Sequence, residues 1–379
     1  MMRARYGHHR EQSLPTVESS GKVWRVSARS ALIILFLLIT YLPARAGANF
    51  DLVSAAGGIT LTQVGNNYIS SFGTMNALGI GTPAAGVTVI PLSNGAIYLT
   101  TYSLFVHGGL PAGQTGFVTA YASTNFGHPL ALILDSCPSS SSCNAAGQFS
   151  ALSTNSGAQT TVIAPPGIAK NVTVNAGLAI FVPDNNGANA FSGTDSAVIT
   201  FTMINNSTGT VIETLQLSLN NPNETLQSAV QLTLASAAGG LTISPAADYT
   251  MNFGNVNGLG IGPATGLTTS AAAGGVVYST PYLLQAAFSD QSSTTATLKT
   301  FVSTNFAHPI VLQLRDATAG TGPFNNIGTT AGTATQITNT AANRSTTTRF
   351  LGLFVSNVSG ATAFTGSDSA TLTFTMTVP

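Results

Sequence analysis

Residues Ser123–Leu134 read S-T-N-F-G-H-P-L-A-L-I-L, and residues Ser303–Leu314 read S-T-N-F-A-H-P-I-V-L-Q-L, 180 residues further on. The match extends outward from this stretch. Upstream, S-F-G-T-M-N-A-L-G-I-G (Ser71–Gly81) answers to N-F-G-N-V-N-G-L-G-I-G (Asn252–Gly262). Further upstream, S-A-A-G-G-I-T-L (Ser54–Leu61) answers to S-A-A-G-G-L-T-I (Ser236–Ile243). Downstream, A-F-S-G-T-D-S-A-V-I-T-F-T-M (Ala190–Met203) answers to A-F-T-G-S-D-S-A-T-L-T-F-T-M (Ala363–Met376). Four blocks in one order at a nearly constant offset mean an internal duplication. The repeat is too long for a solenoid unit, so each copy is expected to be a whole domain.

Both copies read as β structure. Ala197, Ile199, Phe201 and Met203 alternate with polar or small neighbours, and Ala370, Leu372, Phe374 and Met376 do the same. Period two with one apolar face marks a half-buried strand, and it predicts that Phe201 and Phe374 are equivalent core residues. Leu130–Leu134 and Ile310–Leu314 are apolar runs expected to be strands that start just after Pro129 and Pro309, where a missing N–H is tolerated. Gly- and Asn/Ser-rich turns separate the runs, and helical periodicity is absent outside the leader. The fold class is therefore all-β, with two tandem homologous sandwiches of immunoglobulin-like or jelly-roll type; a barrel is the alternative. Thr210–Leu219 has no counterpart in the second copy. It places Val211, Leu215, Leu217 and Leu219 on one face, interrupted by Glu213. It reads either as a hairpin strand that completes the first domain or as a strand donated to a neighbour.

Met1–Ser30 is polar and basic, Ala31–Leu42 is apolar, and Ala44-Arg45-Ala46 follows Pro43. This is the pattern of a secretory signal peptide with a long n-region, expected to form a signal helix and to be cleaved after Ala46. The expected organisation is a signal segment over 1–46, domain one over 47–219, a linker over 220–229 and domain two over 230–379. The chain has 12 basic and 12 acidic residues, but from Gly47 onward five basic side chains face ten acidic ones. A net charge of −5 without a basic patch excludes nucleic acid as a partner class. Membrane association is expected only through an uncleaved signal segment. Charged residues make up 6% of the chain, far below the ~25% of ordinary soluble domains. Such a neutral, hydroxyl- and amide-rich surface suits self-association or embedding among surface or matrix polymers.

Cys137 and Cys143 flank P-S-S-S-S and are expected to close a small loop disulfide in an exported chain. Three histidines follow the leader, and only His128 and His308 recur. Either they are ligands or bases, or their rings bond turn carbonyls. With no recurring acid within a few residues, the turn role is expected. Asp195 and Asp368 recur in F-x-G-x-D-S-A; one carboxylate is too few for calcium, and an Asx-type turn is expected. Tyr98 and Tyr102 recur as Tyr278 and Tyr282. Exposed, they would stack on sugars; their apolar surroundings favour the core. Gly79-Ile80-Gly81 and Gly260-Ile261-Gly262 lack the third glycine and lysine of a phosphate loop and read as turns. Lys170 and Lys299 fall at non-equivalent places, which argues against a duplicated isopeptide crosslink. With no nucleophile elbow, zinc motif or paired carboxylates, neither enzymatic activity nor a cofactor or metal is expected.

The F-G-T at Phe72–Thr74, the F-G-N at Phe253–Asn255, the small-residue strands and the F-T-M endings resemble bacterial exported β-sandwich subunits of the spore-coat-U and pilin-like type. The resemblance covers both repeats, although the chain lacks the disulfide pattern of those families and is a tandem. It implies an extracellular, structural or adhesive cell-surface subunit assembled by strand donation. The alternative is an extracellular tandem carbohydrate-binding module using Tyr or Asn side chains.

Overall fold

The duplicated blocks fold into duplicated sheets. The structure is a computed structural model that describes residues 49–128, 131–135, 150–245, 248–359 and 363–379. The signal segment, Pro129, Cys137 and Cys143 lie outside the described residues. The fold is all-β. Among the described residues the only helices are single 3-10 turns at Gly187–Asn189 and Ala331–Thr333, and none is long and apolar enough to cross a membrane.

In the first repeat, one sheet runs β1 (Phe50–Ser54), β6 (Gly95–Val106), β11 (Thr173–Pro183), β8 (Ala131–Asp135) and β9 (Ser150–Ala151), with β5 (Thr88–Leu92) also on β6. The other runs β10 (Thr160–Ala169), β7 (Thr115–Thr124), β12 (Gly193–Asn205), β13 (Val211–Leu226), β3 (Asn67–Ser70) and β2 (Thr62–Val64), with β4 (Thr74–Met75) also on β13. Their inner faces share one core that includes Phe50, Tyr102, Leu178, Phe201 and Leu217.

The second repeat reproduces the first sheet strand for strand. β14 (Ala229–Ser236), β18 (Gly275–Ser289), β23 (Ser345–Ser356), β20 (Leu312–Ala317) and β21 (Asn325–Asn326) follow in the same order, with β17 (Thr268–Ala272) on β18. Its other sheet is divided. β22 (Thr335–Ala342), β19 (Thr295–Thr304) and β24 (Thr371–Thr377) form one piece, while β15 (Ile243–Pro245) and β16 (Tyr249–Met251) form a separate pair. The missing link between the pieces is the counterpart of β13.

In the placement of its strands the structure departs from the sequence reading at three points. The 220–229 stretch is mostly strand, because β13 continues to Leu226 and β14 begins at Ala229. β20 begins at Leu312, and Ile310 sits 68% exposed in the preceding turn. Val211 does not share the face of Leu215, Leu217 and Leu219: those are buried and Val211 is 61% exposed. The register between β12 and β13 shifts between Met203 and Ile204, and such a bulge turns the following side chains to the other face.

The repeats meet end to end. Arg344, on the turn between β22 and β23, pairs with Asp184 just beyond β11, donating from Nε at 2.5 Å and from a terminal nitrogen at 3.2 Å. The same terminal nitrogen donates to the Ala77 carbonyl at 2.8 Å. Asn186 Nδ2 donates to the Phe288 carbonyl, the Gln291 amide donates to Asn186 Oδ1, and the Gly187 amide donates to the Gln291 carbonyl.

Candidate functional site

β12 and β24 carry the same alternation but not the same surroundings. β12 is paired on both sides, antiparallel to β7 and to β13. Ala197, Ile199, Phe201 and Met203 are all fully buried, facing Leu215, Leu217 and Leu219 at 0–1% exposure. β24 pairs only with β19 among the described residues. Its Leu372, Phe374 and Met376, and Ala370 just before it, are only half-buried, as are Leu232, Leu234, Met251 and Phe253 around them. The expected equivalence of Phe201 and Phe374 therefore fails for burial, although each contacts the recurring tyrosine: Tyr102–Phe201 centroids lie 5.7 Å apart and Tyr282–Phe374 centroids 5.8 Å. A cleft of about 750 Å³ borders β15 and β16, lined in part by Leu241, Ser244, Thr250, Met251 and Asn252. Met251 is the counterpart of Ser70, where β13 pairs in parallel with β3.

Val211–Leu219 is thus part of β13, with Leu215, Leu217 and Leu219 inward, paired with β12 and β3 of the same sandwich as in the hairpin reading. Glu213 and Glu224 fasten it. Glu213 accepts the Asn49 and Phe50 amides at 2.6 and 3.2 Å, which ties β13 to the start of β1. Glu224 is fully buried and accepts the Phe72 amide at 2.8 Å and the Ser71 hydroxyl at 3.3 Å. Burial pushes its carboxyl up to about 8, although the Phe72, Ser71 and Gly73 donors oppose the rise. In the second repeat Asn252 stands for Ser71, and its Oδ1 accepts the Gly254 amide as the Ser71 hydroxyl accepts the Gly73 amide.

The recurring tyrosines are core residues and do not face a ligand. Tyr98, Tyr102, Tyr278 and Tyr282 are 0–2% exposed. Tyr98 OH donates to the Asn76 carbonyl and accepts the Asn76 amide, at 2.9 and 2.8 Å. Tyr278 does the same with Asn257, at 2.9 and 3.0 Å. Each hydroxyl staples the loop that carries the G-I-G tripeptide. Gly79 and Gly260 turn there at φ 74° and 75°, as a turn glycine does. In the second repeat a buried Arg349–Asp316 ion pair lies beside Tyr282, whose hydroxyl donates to Asp316.

The structure joins what the sequence kept apart. His128 Nδ1 lies 2.9 Å from Asp195 Oδ2, and His308 Nδ1 lies 2.9 Å from Asp368 Oδ2. Each ring stacks on a recurring phenylalanine: His128 on Phe191 and His308 on Phe364. Each carboxylate also accepts three backbone amides, from Gly127, His128 and Ser196 in one copy and Ala307, His308 and Ser369 in the other. Burial alone would raise the Asp195 carboxyl, but these donors outweigh it and hold it below the usual carboxylate range. The Ala307 amide leads the donors that hold Asp368 down to about 2. The expectation of an isolated turn Asp and an isolated turn His is corrected: together they clamp the loop after β7 or β19 to the segment before the last recurring strand. An aspartate surrounded by N–H donors is not arranged to hold a cation. His107 forms a pair with Asp51, which also accepts from Tyr68 at 2.8 Å, in the first repeat alone.

No family model matches this chain, and no curated protein matches it in sequence. Similar solved structures include the CupB6 tip adhesin from Pseudomonas aeruginosa, with TM-score 0.29 and 8% identity over 87% of this chain and 94% of that one. Another is a chaperone–tip adhesin complex of CFA/I fimbriae biogenesis, with TM-score 0.24 and 13% identity over 87% and 84%. The N-terminal domain of PorA gives TM-score 0.23 and 9% identity over 47% of this chain and 97% of that domain. At TM-scores this low the likenesses carry no argument about function.

Proposed function

We propose that this chain is an exported, non-enzymatic surface protein, structural or adhesive in role, whose second sandwich is completed by a strand from another polypeptide. The observation that carries the reading is the edge of β24 that has no partner among the described residues, set against the doubly paired β12. Open strand edges flanked by apolar side chains are what proteins cover, and β-augmentation covers them with main-chain hydrogen bonds. Two candidate donors within this chain, Thr210–Leu219 and the segment near Asn49–Val53, are already in use as β13 and β1. Releasing β13 would uncover the first core in order to cover the second. The strand therefore comes from a different chain. Full burial of each of Leu372, Phe374 and Met376 is worth ~1.5–3 kcal/mol, a fraction of which is still to be gained at their half-buried state.

Export rests on the leader pattern and the low charge of the remainder. The non-enzymatic reading rests on the absence of a catalytic motif and on the commitment of both His–Asp pairs to backbone amides. Sugar binding by the recurring tyrosines has no support, since all four are core. The test is a chain in which a copy of residues 205–226 follows Thr377, so that the second repeat carries its own β13. The copy is expected to raise the melting temperature of the second sandwich and to abolish strand-mediated association. An unchanged melt and unchanged size distribution by light scattering would overturn the reading.

A further inference from the structure

We infer that the end-to-end contact between the two repeats is repeated between molecules, so that the far end of the second repeat binds the near end of the first repeat of another copy. This inference is independent of strand acceptance and concerns a different surface. The internal contact uses the end of the first repeat that holds Ala77, Asp184 and Asn186, and the end of the second that holds Ser289–Gln291 and Arg344. The duplication places the same two kinds of end at the extremities of the tandem, where no other described residue of the chain pairs with them.

The far end of the second repeat holds the counterparts of Leu78, Ile80 and Asp184, which are Leu259, Ile261 and Asn357. Leu78 is 5% exposed beside the carbonyl held by Arg344, whereas Leu259 is 73% exposed. At the same end Ile261 is 67% exposed against 49% for Ile80, and Val358 is 37% exposed. The near end of the first repeat holds Asn171, the counterpart of Arg344 on the turn between β10 and β11. Both residues are left-handed, at φ 61° and 54°. Val172 and Val211 flank that end at 40% and 61% exposure. Apolar side chains thus cluster on both uncovered ends, where the internal contact shows that a partner end fits. Contacts of this head-to-tail kind do not close on themselves unless their rotation returns to the start, and they build open filaments. The partner is therefore a second copy of this chain.

The counterparts of Asp184 and Arg344 are Asn357 and Asn171, so the intermolecular contact lacks the ion pair of the internal one and is the weaker of the two. That difference supplies the test. Sedimentation of residues 47–379 is expected to show an open-ended, concentration-dependent series of species. Leu259→Asp with Ile261→Asp should weaken association by about tenfold or more without changing the melt. Asn357→Asp combined with Asn171→Arg recreates the internal ion pair between copies and should tighten association by about fivefold relative to the product of the single changes. Both variants are repeated in the chain carrying its own copy of residues 205–226. Association that survives there and is lost with Leu259→Asp and Ile261→Asp supports stacking, whether or not strand acceptance holds. Association that vanishes with the added strand and ignores both end variants overturns stacking and leaves strand acceptance standing. A chain that is monomeric at every concentration, with or without the recreated ion pair, also overturns stacking.

Discussion

The two repeats share their first sheet strand for strand and differ in the second by β13 and the short β4 that pairs with it. In the first repeat β13 separates β12 from β3 and brings four leucines and two glutamates into the core and its rim. In the second repeat the same alternating sequence in β24 lies half-exposed beside a divided sheet. Binary patterning alone therefore sets which face of a strand points inward, while burial depends on whether a neighbour is present. The duplication acts as an internal control, because the recurring residues can be altered in a filled and an unfilled copy of one sandwich.

The largest expected asymmetry lies in Phe201 and Phe374. Phe201→Ala should cost ~3–5 kcal/mol in the melt of the first sandwich, and Phe374→Ala roughly half of that in the second. Equal costs would break the comparison. Adding the copied strand should raise the cost of Phe374→Ala towards that of Phe201→Ala. A second asymmetry is in pH. Glu224 is held up to about 8 in the fold against an ordinary value of 4.5, so the folded state retains a proton that the unfolded chain loses. Its contribution is complete below about 4.5 and is lost as pH rises through about 8. Chemical denaturation at a series of pH values should show this decline for the first sandwich, and Glu224→Gln should flatten it. Tyr98→Phe and Tyr278→Phe should each cost about 1 kcal/mol, because both remove the same hydroxyl staple. A large difference between them would show that the loops differ more than their geometry. The smallest effect is at the His–Asp clamp of the second repeat. Asp368 is lowered to about 2 from 3.8, so its contribution is present above about 4 and fades as pH falls towards 2. Asp368→Asn should remove that acid dependence while leaving the melt at neutral pH little changed.

Much of this architecture was legible in the sequence. The offset blocks gave the duplication, and the alternation in Ala197–Met203 and Ala370–Met376 gave the strands and their inward faces. The unmatched segment Thr210–Leu219 pointed to the extra strand and to the opening it leaves in the second repeat. The clamps were not legible one residue at a time, because their partners lie 67 and 60 residues apart. A signal for them was nevertheless present: Tyr98, Asn76, His128, Phe191 and Asp195 are all polar or aromatic residues that recur at matching places. The outward turn of Val211 depends on a register shift that periodicity does not encode. The contact of Arg344 with Asp184 joins two turns that occur in only one form each, so duplication could not reveal it.

The placement of the first and last strands gives the two repeats different expected responses to a pull along the chain. β1 begins at the near end of the first sandwich, opposite Val106, and β13 ends at the far end, opposite Gly193. Tension applied between them runs along both strands and loads their ladders in shear, so that many backbone hydrogen bonds must yield together. In the second sandwich β14 begins opposite Ser289, and β24 ends at Thr377 opposite Thr297, at the same pole. The Pro379 carbonyl accepts from Ser292 there. A pull applied to the chain beyond Thr377 would peel β24 from β19 one bond at a time. Single-molecule stretching is therefore expected to open the second sandwich at a lower force than the first, with Gln227 and Ser228 as the short connection between them.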